Sequence, residues 1–263
     1  MSLDLKIQGK NAIVTGAAGD IGKATVICLA EGGANVLVTD MNEQAAIRTV
    51  EELQPKYPDV KLVPQVCNVT DKASVDAMVE AALKVFGRID ILDNIAGMST
   101  KVDFLEMPEE IYDQMMDVNA KGTFLVDQAV LRVMIPNKSG KIVNMSSMSG
   151  KEGYPTNVAY SASKFAVTGM TQAIAKYAAP YNINVNCVCP GIVHTHIWDR
   201  LLDDVTKAGG DAEAYWNERI GAIPLKRAQT AEDIAHMFVY LSSALADNMT
   251  GQGINVTGGL ILH

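Results

Sequence analysis

The residue pair most able to do chemistry in this sequence is Tyr160 and, four residues later, Lys164. In a helix, residues four apart share one face, so the lysine ammonium would lie close to the tyrosine hydroxyl. A free phenol has a pKa of about 10, and a nearby cation lowers that pKa by favouring the phenolate. Such a phenol can exchange a proton with an alcohol or a carbonyl. A surface tyrosine and lysine on an amphipathic helix would show the same spacing, so the pair needs support from the rest of the chain.

A glycine-rich stretch, residues 15–22, follows the first predicted strand and opens the first predicted helix. Its glycines let the backbone turn tightly and bring helix N–H groups against a pyrophosphate. Asp40 ends the second predicted strand, where a carboxylate can accept hydrogen bonds from both ribose hydroxyls of an adenosine. A glycine turn with an ordinary strand-end aspartate is the alternative. Strand, loop, helix and acid in this order predict a dinucleotide site.

Short apolar runs alternate with helical periodicity along the whole chain. Strands are predicted at 11–15, 35–39, 61–66, 89–92, 141–145, 183–189 and 253–256, and helices at 20–31, 43–54, 71–86, 108–134 (one helix or two), 160–179 and 230–243. Continuously apolar strands between helices are typical of a parallel sheet covered on both faces. We therefore predict one doubly wound α/β domain over residues 1–263, with about seven strands. Residues 194–227, rich in charge, are predicted to form an irregular substrate flap at the ligand-binding end of the sheet; a solvated insertion is the alternative.

Composition narrows the classes of function. The net charge of −8 and the pI of about 5.0 argue against a nucleic-acid surface. The four cysteines lack metal-ligand spacing, so free thiols and no metal are expected. Residues 1–10 lack an apolar signal core, and no apolar run is long enough to span a membrane. The sequence predicts a cytoplasmic protein.

Together these motifs resemble the short-chain dehydrogenase/reductase family, in its short rather than extended branch, nearly from end to end. Asn94-Ile95-Ala96-Gly97 is similar to the family's Asn-Asn-Ala-Gly, and Asn119 matches its helix asparagine. Ser147 precedes Tyr160 by the family's spacing for its catalytic serine. Residues 190–195 resemble the Pro-Gly-x-x-x-Thr segment that borders the nicotinamide. The resemblance implies a Rossmann-like fold.

Three positions depart from the family pattern. Ile95 replaces the second asparagine of the motif just quoted. Asp20 stands where the glycine loop commonly has glycine, and the resulting spacing is that of the extended branch, although the short chain length and the position of Ser147 argue against that branch. Asn68 occupies the place where an aspartate often contacts adenine, and an asparagine can still hydrogen-bond an adenine edge.

The resemblance implies hydride transfer between a nicotinamide and a carbon that bears oxygen. Tyr160 would exchange the hydroxyl proton, Ser147 would hydrogen-bond the substrate oxygen, and Lys164 would tune Tyr160 and hold the nicotinamide ribose. Asn119 would carry a water that links Lys164 to solvent. As alternatives, Ser147 would cap a turn and Asn119 would be a structural helix residue. The implied cofactor contacts are Gly16, Gly19, Asp20, Ile21, Asp40, Met41, Asn68, Val69, Asn94, Ala96, Gly97, Tyr160, Lys164, Pro190, Gly191, Val193 and Thr195.

The substrate is less clearly indicated. Expected contacts are Met98, Ser147, Met148, Glu152, Tyr154, Tyr160 and Trp198, an apolar set with few polar members. Cations in the flap are dispersed, which favours a small secondary alcohol, diol or polyol over a phosphorylated or CoA-linked substrate. A 3-oxoacyl thioester, a hydroxysteroid and a non-catalytic dinucleotide sensor are the alternatives. Ile192 is expected to line the same pocket. His194 and His196 would be polar contacts near it or, as the favoured alternative, surface residues, and a metal pair is not expected.

Two further expectations concern the cofactor and the assembly. Asp40 would repel the 2′-phosphate of NADP, and the neighbouring Ala17, Ala18, Met41 and Asn42 offer no cation to offset it, so NAD is predicted. A homotetramer is predicted from the resemblance and from apolar residues on more than one face of the helices at 111–134 and 160–179.

Overall fold

The computed structural model describes residues 4–263 and assembles all its strands into one parallel sheet. The strands are β1 Asn11–Thr15, β2 Asn35–Asp40, β3 Leu62–Val66, β4 Ile91–Asn94, β5 Gly140–Met145, β6 Ile183–Pro190 and β7 Gly253–Val256. Their order in the sheet is β3-β2-β1-β4-β5-β6-β7, and every neighbouring pair is parallel. The order reverses between β1 and β4, and such a switch point is where doubly wound sheets bind ligands. The predicted Rossmann-like fold class is confirmed.

Nine α-helices connect the strands within the described residues. They are α1 Asp20–Glu31, α2 Glu43–Leu53, α3 Lys72–Phe86, α4 Glu109–Met115, α5 Gly122–Met134, α6 Val158–Ala178, α7 His196–Lys207, α8 Ala212–Gly221 and α9 Ala231–Ser242. Side-chain caps fix several N-termini: Asn42 accepts from the Ala45 amide, and Thr230 forms a reciprocal capping box with Asp233. A π-helical turn, Met116–Lys121, joins α4 to α5.

The sheet separates two hydrophobic cores. On one face, α1 and α9 pack over the strands through buried residues such as Leu29 and Phe238. On the other face, α3, α5 and α6 supply side chains such as Met78 and Val130. Because both faces are covered, the strands need no polar alternation, which explains their continuous apolar runs. No helix in residues 4–263 is long and apolar enough to cross a lipid bilayer.

The structure corrects two of the predicted elements. Residues 194–227 are not irregular, since α7 and α8 account for most of them. Their high charge hid an amphipathic pattern, and Gly209, with φ of +79°, turns the chain between the two helices. The fourth strand lies two residues later than predicted, because Asp93 and Asn94 are buried despite their polarity. Ser242 and Thr15 hydrogen-bond these two side chains, which makes a polar strand end tolerable in the core.

Candidate active site

A cleft of about 370 Å³ opens at the switch point, along the carboxyl ends of β1, β4, β5 and β6. This volume is in the range of small-molecule sites. Most of the residues predicted from the sequence line it: Gly16, Gly19, Asp20, Ile21, Asp40, Ala96, Gly97, Met98, Ser147, Met148, Tyr160, Lys164, Pro190, Gly191, Val193, Thr195 and Trp198. Seven predicted residues lie outside its lining: Met41, Asn68, Val69, Asn94, Asn119, Glu152 and Tyr154.

The glycine loop leaves room for an anion at the start of α1. Gly16 has φ of +63°, and a Cβ there would stand 3.0 Å from the Ala96 Cα. A Cβ on Gly22 would stand 2.1 Å from the carbonyl oxygen of Gly16, so the first turn of α1 packs directly on the loop backbone. Gly19 precedes α1 and provides no side-chain cap. The N–H groups of the first turn are therefore available to a pyrophosphate, and the loop fits a bound dinucleotide.

A buried polar network supports this loop from behind. The Thr15 hydroxyl donates to Asn94 Oδ1 at 2.8 Å and accepts from the backbone amides of Ile95 at 3.0 Å and Ala96 at 3.1 Å. The Asn94 amide in turn donates to Asp127 Oδ1 at 3.3 Å. Asn94, predicted as a cofactor contact, thus uses its side chain to position the Ile95–Ala96 backbone. Burial raises the pKa of Asp127 to about 7, although the hydrogen bonds that its carboxylate accepts from Asn144 and Asn94 lower the pKa.

Asp40 lies at the adenosine end of the cleft. Its Oδ2 accepts from the Ala18 amide at 3.2 Å, and its Oδ1 accepts from the Asn42 amide at 3.0 Å. These bonds hold the carboxylate, which is partly exposed, beside the glycine loop.

The other three predicted contacts on this side do not reach the lining. The Met41 side chain is 76% exposed, and Val69 is buried against Gly122. Asn68 directs its Oδ1 to the backbone amide and the hydroxyl of Thr70. These contacts tie the turn after β3 together, so the Asn68 carbonyl group serves that turn.

Tyr160 and Lys164 lie one turn apart on α6, as predicted, and Ser147, two residues after β5, lines the same cleft. The Lys164 side chain is 2% exposed overall, and its ammonium donates to the Met145 carbonyl oxygen at 2.8 Å. The distance from Lys164 Nζ to the Tyr160 ring centroid is 5.6 Å. Both functional groups therefore reach the cleft from the same helical face.

The electrostatics of the pair differ from the sequence-based prediction. Burial raises the pKa of Tyr160, although the Ser147 hydroxyl acts in the opposite direction. Burial also lowers the pKa of Lys164 to about 8. The expectation that Lys164 lowers the pKa of Tyr160 below its ordinary value was wrong for the protein alone. The cost of burying an anionic phenolate exceeds the help from the Ser147 hydrogen bond, and the Lys164 ammonium is itself buried and bound to Met145.

Asn119 lies fully buried in the π-helical turn and contacts the backbone after β4. Its Oδ1 accepts from the Met98 amide at 2.8 Å, and its Nδ2 donates to the Met98 carbonyl at 2.9 Å and to Ser163 Oγ at 3.0 Å. A Cβ on Gly97 would lie 3.0 Å from Asn119 Oδ1 and 3.4 Å from Lys164 Nζ. The side chain thus fixes residues 97–98 against α6, which is a positioning role; a bound water stays a prediction.

The two histidines lie on the surface, and one of them joins the two sides of the cleft. The backbone amide and Nδ1 of His196 contact Asp20 Oδ2 at 2.9 and 2.7 Å. Burial alone would raise the pKa of Asp20, but its hydrogen bonds to His196 bring the pKa below the ordinary value. His194 Nε2 lies 3.7 Å from Asp199 Oδ1. No cluster of histidine, cysteine or acidic residues in the described part of the chain could hold a metal.

Sequence reasoning missed several residues of the lining. They are Gly22, Ile95, Ser99, Lys101, Met145, Ser146, Ser149, Asn157 and Leu201. Ile192, expected to line the substrate pocket, and His196, expected as a polar contact or a surface residue, also lie in the lining. Lys101 could have been found, because it follows the carboxyl end of β4, where loops of an open α/β sheet meet ligands. Asn157 has a buried Oδ1 without a hydrogen-bond partner, which no sequence pattern reveals.

Comparison with known proteins agrees with the fold. Residues 10–206 match the profile of the family described as short chain dehydrogenase. A 3-oxoacyl-(acyl-carrier-protein) reductase of Thermotoga maritima is 36% identical over 98% of this chain and 100% of its own length. This chain therefore belongs to the short-chain dehydrogenase family and is an oxidoreductase by membership.

Other relatives act on small molecules of different kinds. An (S)-acetoin-forming diacetyl reductase of Staphylococcus epidermidis is 36% identical, with 97% of this chain and 99% of the relative covered. The crystal structure of an NAD⁺-bound xylitol dehydrogenase superimposes with a TM-score of 0.92 at 33% identity, over 97% of this chain and all of that one. These likenesses establish the family and fold and leave the substrate open.

Proposed function

We propose that this protein is an NAD-dependent oxidoreductase that transfers a hydride between nicotinamide and a small secondary alcohol or its ketone, in the range of alcohols, diols and polyols. The observation that carries the proposal is that Ser147, Tyr160 and Lys164 line the same cleft as the glycine loop and Asp40. One domain, residues 1–263, would bind both cofactor and substrate. The nicotinamide, when bound, would supply the hydride acceptor or donor.

Residues of the chain would transfer the hydroxyl proton and hydrogen-bond the substrate oxygen. Tyr160 would take up the hydroxyl proton during oxidation and return it during reduction. Ser147 would donate a hydrogen bond to the substrate oxygen as negative charge develops there. Lys164, when protonated beside the Tyr160 ring, would favour the phenolate and bind the nicotinamide ribose. Asn119 and Gly97 would keep the Met98 backbone in register with this group.

Two of the relatives, a diacetyl reductase and a xylitol dehydrogenase, support a small substrate, as does an apolar lining with Met98, Met148 and Leu201. A second candidate is reduction of a 3-oxoacyl thioester, which is favoured by the likeness to the Thermotoga maritima enzyme. The net charge of −8 argues against docking an acidic acyl carrier. Asp40 argues against NADPH. A hydroxysteroid would need more apolar length than a small diol, and a non-catalytic sensor would not need both Tyr160 and Lys164.

Replacement of Tyr160 by Phe tests the proposal. Turnover should fall by about 10²–10⁴-fold, the usual cost of lost acid/base catalysis, while NAD affinity stays nearly unchanged. The assay is NADH absorbance with a panel of secondary alcohols, hexitols, hydroxysteroids and acyl thioesters. Tyr177→Phe, an exposed tyrosine on the same helix, is the matched control and should keep full activity. A Tyr160→Phe protein with a tenth of wild-type turnover would refute the catalytic assignment.

We also propose a cytoplasmic homotetramer. Phe124 on α5 and Phe165 on α6 are nearly half exposed, and Leu262 near the C-terminus is 87% exposed. Apolar side chains on outer faces of this kind are typical of subunit interfaces. Light scattering at micromolar concentration should give four times the 28.2 kDa chain mass, and a monomer mass would contradict the proposal.

A further inference from the structure

A cation without an acidic partner lies at the substrate end of the cleft. Lys101, in the loop after β4, lines the cleft together with Trp198 of α7. None of the salt bridges within residues 4–263 involves Lys101. The acidic residues of the lining are Asp20 and Asp40, which belong to the glycine-loop end. The charge of Lys101 is therefore not neutralised by the protein residues of the cleft.

Aromatic rings hold this ammonium in place without removing its charge. Lys101 Nζ lies 5.1 Å from the centroid of the Trp198 ring and 5.8 Å from that of Tyr215 on α8. It also donates to the Tyr215 hydroxyl at 3.4 Å. A lysine ammonium has three donors, so two remain for another acceptor. The rings thus orient the cation and limit the entropy that a ligand would have to remove.

A second cation lies on α8, which together with α7 forms the lid, and it is outside the lining of the cleft. Arg219 lies four residues after Tyr215 on α8, on the same helical face. Its Nε is buried and has no hydrogen-bond partner. Burial raises the pKa of Tyr154, and the positive charge of Arg219 opposes that rise, so Arg219 lies near the segment that precedes α6. Glu152 accepts a hydrogen bond from the Tyr154 hydroxyl. Within the described residues, Glu152 makes no salt bridge with Arg219.

Apolar side chains form part of the lining that Lys101 shares with Tyr160 and Ser147. Met98, Met148 and Leu201 are among them, and polyol hydroxyls placed against these three side chains would lose water without finding partners. An aliphatic chain would instead gain from this contact. A carboxylate at the far end of such a chain would form charge-assisted hydrogen bonds with the free donors of Lys101.

We propose that Lys101, assisted by Arg219, binds a carboxylate of the substrate, and that the preferred substrates are aliphatic hydroxy acids and their keto acids. The inference rests on the proposed function and narrows its substrate class. The reaction is unchanged: bound NAD would accept the hydride of the carbinol carbon, Tyr160 as the phenolate would accept the hydroxyl proton, and the carboxylate would take no part in the chemistry. Lys101 is then a specificity-determining residue.

Matched acids and amides provide the test. Racemic straight-chain acids with the hydroxyl on the third, fourth or fifth carbon are assayed at saturating NAD beside their primary amides, which keep the shape and lose the charge. For the best chain length, kcat/KM for the acid should exceed that for the amide at least tenfold, through KM. Lys101→Met should bring the ratio close to one, and Lys101→Arg should keep part of it. Lys207→Met, an exposed lysine of α7 paired with Asp204, should leave the ratio unchanged.

Fluorescence gives a readout that does not depend on turnover. The two tryptophans of the chain, Trp198 and Trp216, have ring centroids 5.3 Å apart in the lid, so both report on the surroundings of Lys101. In the NAD-saturated Tyr160→Phe protein, the best acid should give a saturable change, and adding Lys101→Met should raise its Kd at least tenfold.

The outcomes separate the two proposals. If acids are never preferred, or if Lys101→Met lowers acids and amides equally, Lys101 only fastens the lid and the inference is wrong, while turnover of neutral alcohols upholds the proposed function. If no acid, amide, secondary alcohol, diol or polyol is turned over, the proposed function itself fails.

Discussion

The two ends of the cleft are built in different ways. At the dinucleotide end, backbone atoms set the shape: Gly16 and Gly22 leave no space for a side chain, and the Thr15–Asn94 hydrogen bond is buried beneath them. At the substrate end, α7 and α8 are surface helices, and no residue of α8 is buried. A cofactor common to a whole family needs a fixed backbone, whereas a substrate can be selected by side chains on helices that change without disturbing the sheet.

The lid is attached to the sheet at a few points. Asp20 holds the N-terminus of α7 through His196, and Lys101 contacts both lid helices. After α8, Ile223 is fully buried, and the Leu225 amide donates to the Gly258 carbonyl. A segment fixed at its ends with little buried surface between them is expected to open at a lower free energy than the core.

The pH dependence of stability should reside in the sheet. Asp93 of β4 is fully buried, its Oδ1 accepts from Ser242, and its Oδ2 has no partner. Burial raises the pKa of Asp93 from its ordinary 3.8 to about 7. When folding raises the pKa of a group, that group contributes to the free energy of unfolding. This contribution is fully present below the unfolded-state pKa, and it is lost as the pH rises through the folded-state pKa. The window for Asp93 is therefore about pH 4 to 7, and the loss approaches about 4 kcal/mol at 1.36 kcal/mol per unit.

Asp93→Asn removes this titration. Urea unfolding at pH 4.5, 6 and 8 should show the variant gaining on the wild type as the pH rises, by about 3 kcal/mol between the extremes. Asp204→Asn, in an exposed pair of the lid, is the control, and its stability difference should stay small and flat. A pH-independent difference for Asp93→Asn would show that the carboxyl ionises normally in the fold.

A glycine-to-alanine substitution at each end of the cleft shows how well that end tolerates an added methyl group. Gly22→Ala places its Cβ 2.1 Å from a backbone oxygen of the loop, which no side-chain movement can relieve. NAD affinity should fall by at least about 10²-fold, the cost of a shift of roughly 1 Å in a positioned site. Gly221→Ala at the end of α8 meets nothing within 4 Å and should leave NAD affinity unchanged. Calorimetric titration measures both, and equal losses would contradict the contrast between the two ends.

Cofactor choice is a smaller effect, and it belongs to the dinucleotide end alone. Asp40 should disfavour the 2′-phosphate of NADP by about 1–2 kcal/mol, or about ten- to thirtyfold in kcat/KM for NAD over NADP. The nearest cation along α1, Lys23, is paired with Glu52 at 2.6 Å. Asp40→Ala should reduce the ratio, and Lys101→Met should not change it. A wild-type ratio at or below one would show that Asp40 does not hold the ribose.

The sequence alone determined the fold class, the glycine loop with Asp40, and the group Ser147, Tyr160 and Lys164. These are local signals, because a buried parallel strand must be apolar along its whole length and a tight phosphate turn must contain glycine. Chain spacing also places Tyr160 and Lys164 on one helical face without any knowledge of the packing.

Only the tertiary structure decided how those groups are surrounded. Burial, which depends on elements distant in the chain, raised the pKa of Tyr160 where the sequence predicted a lower value. Hydrogen bonding to Asp127, 33 residues away, gave the Asn94 side chain a supporting role. The lid helices were obscured by their charges, and the meeting of Lys101 with Trp198 and Tyr215 joins residues about a hundred positions apart. Contacts of this range arise from packing, which leaves no period or spacing in the sequence to be read.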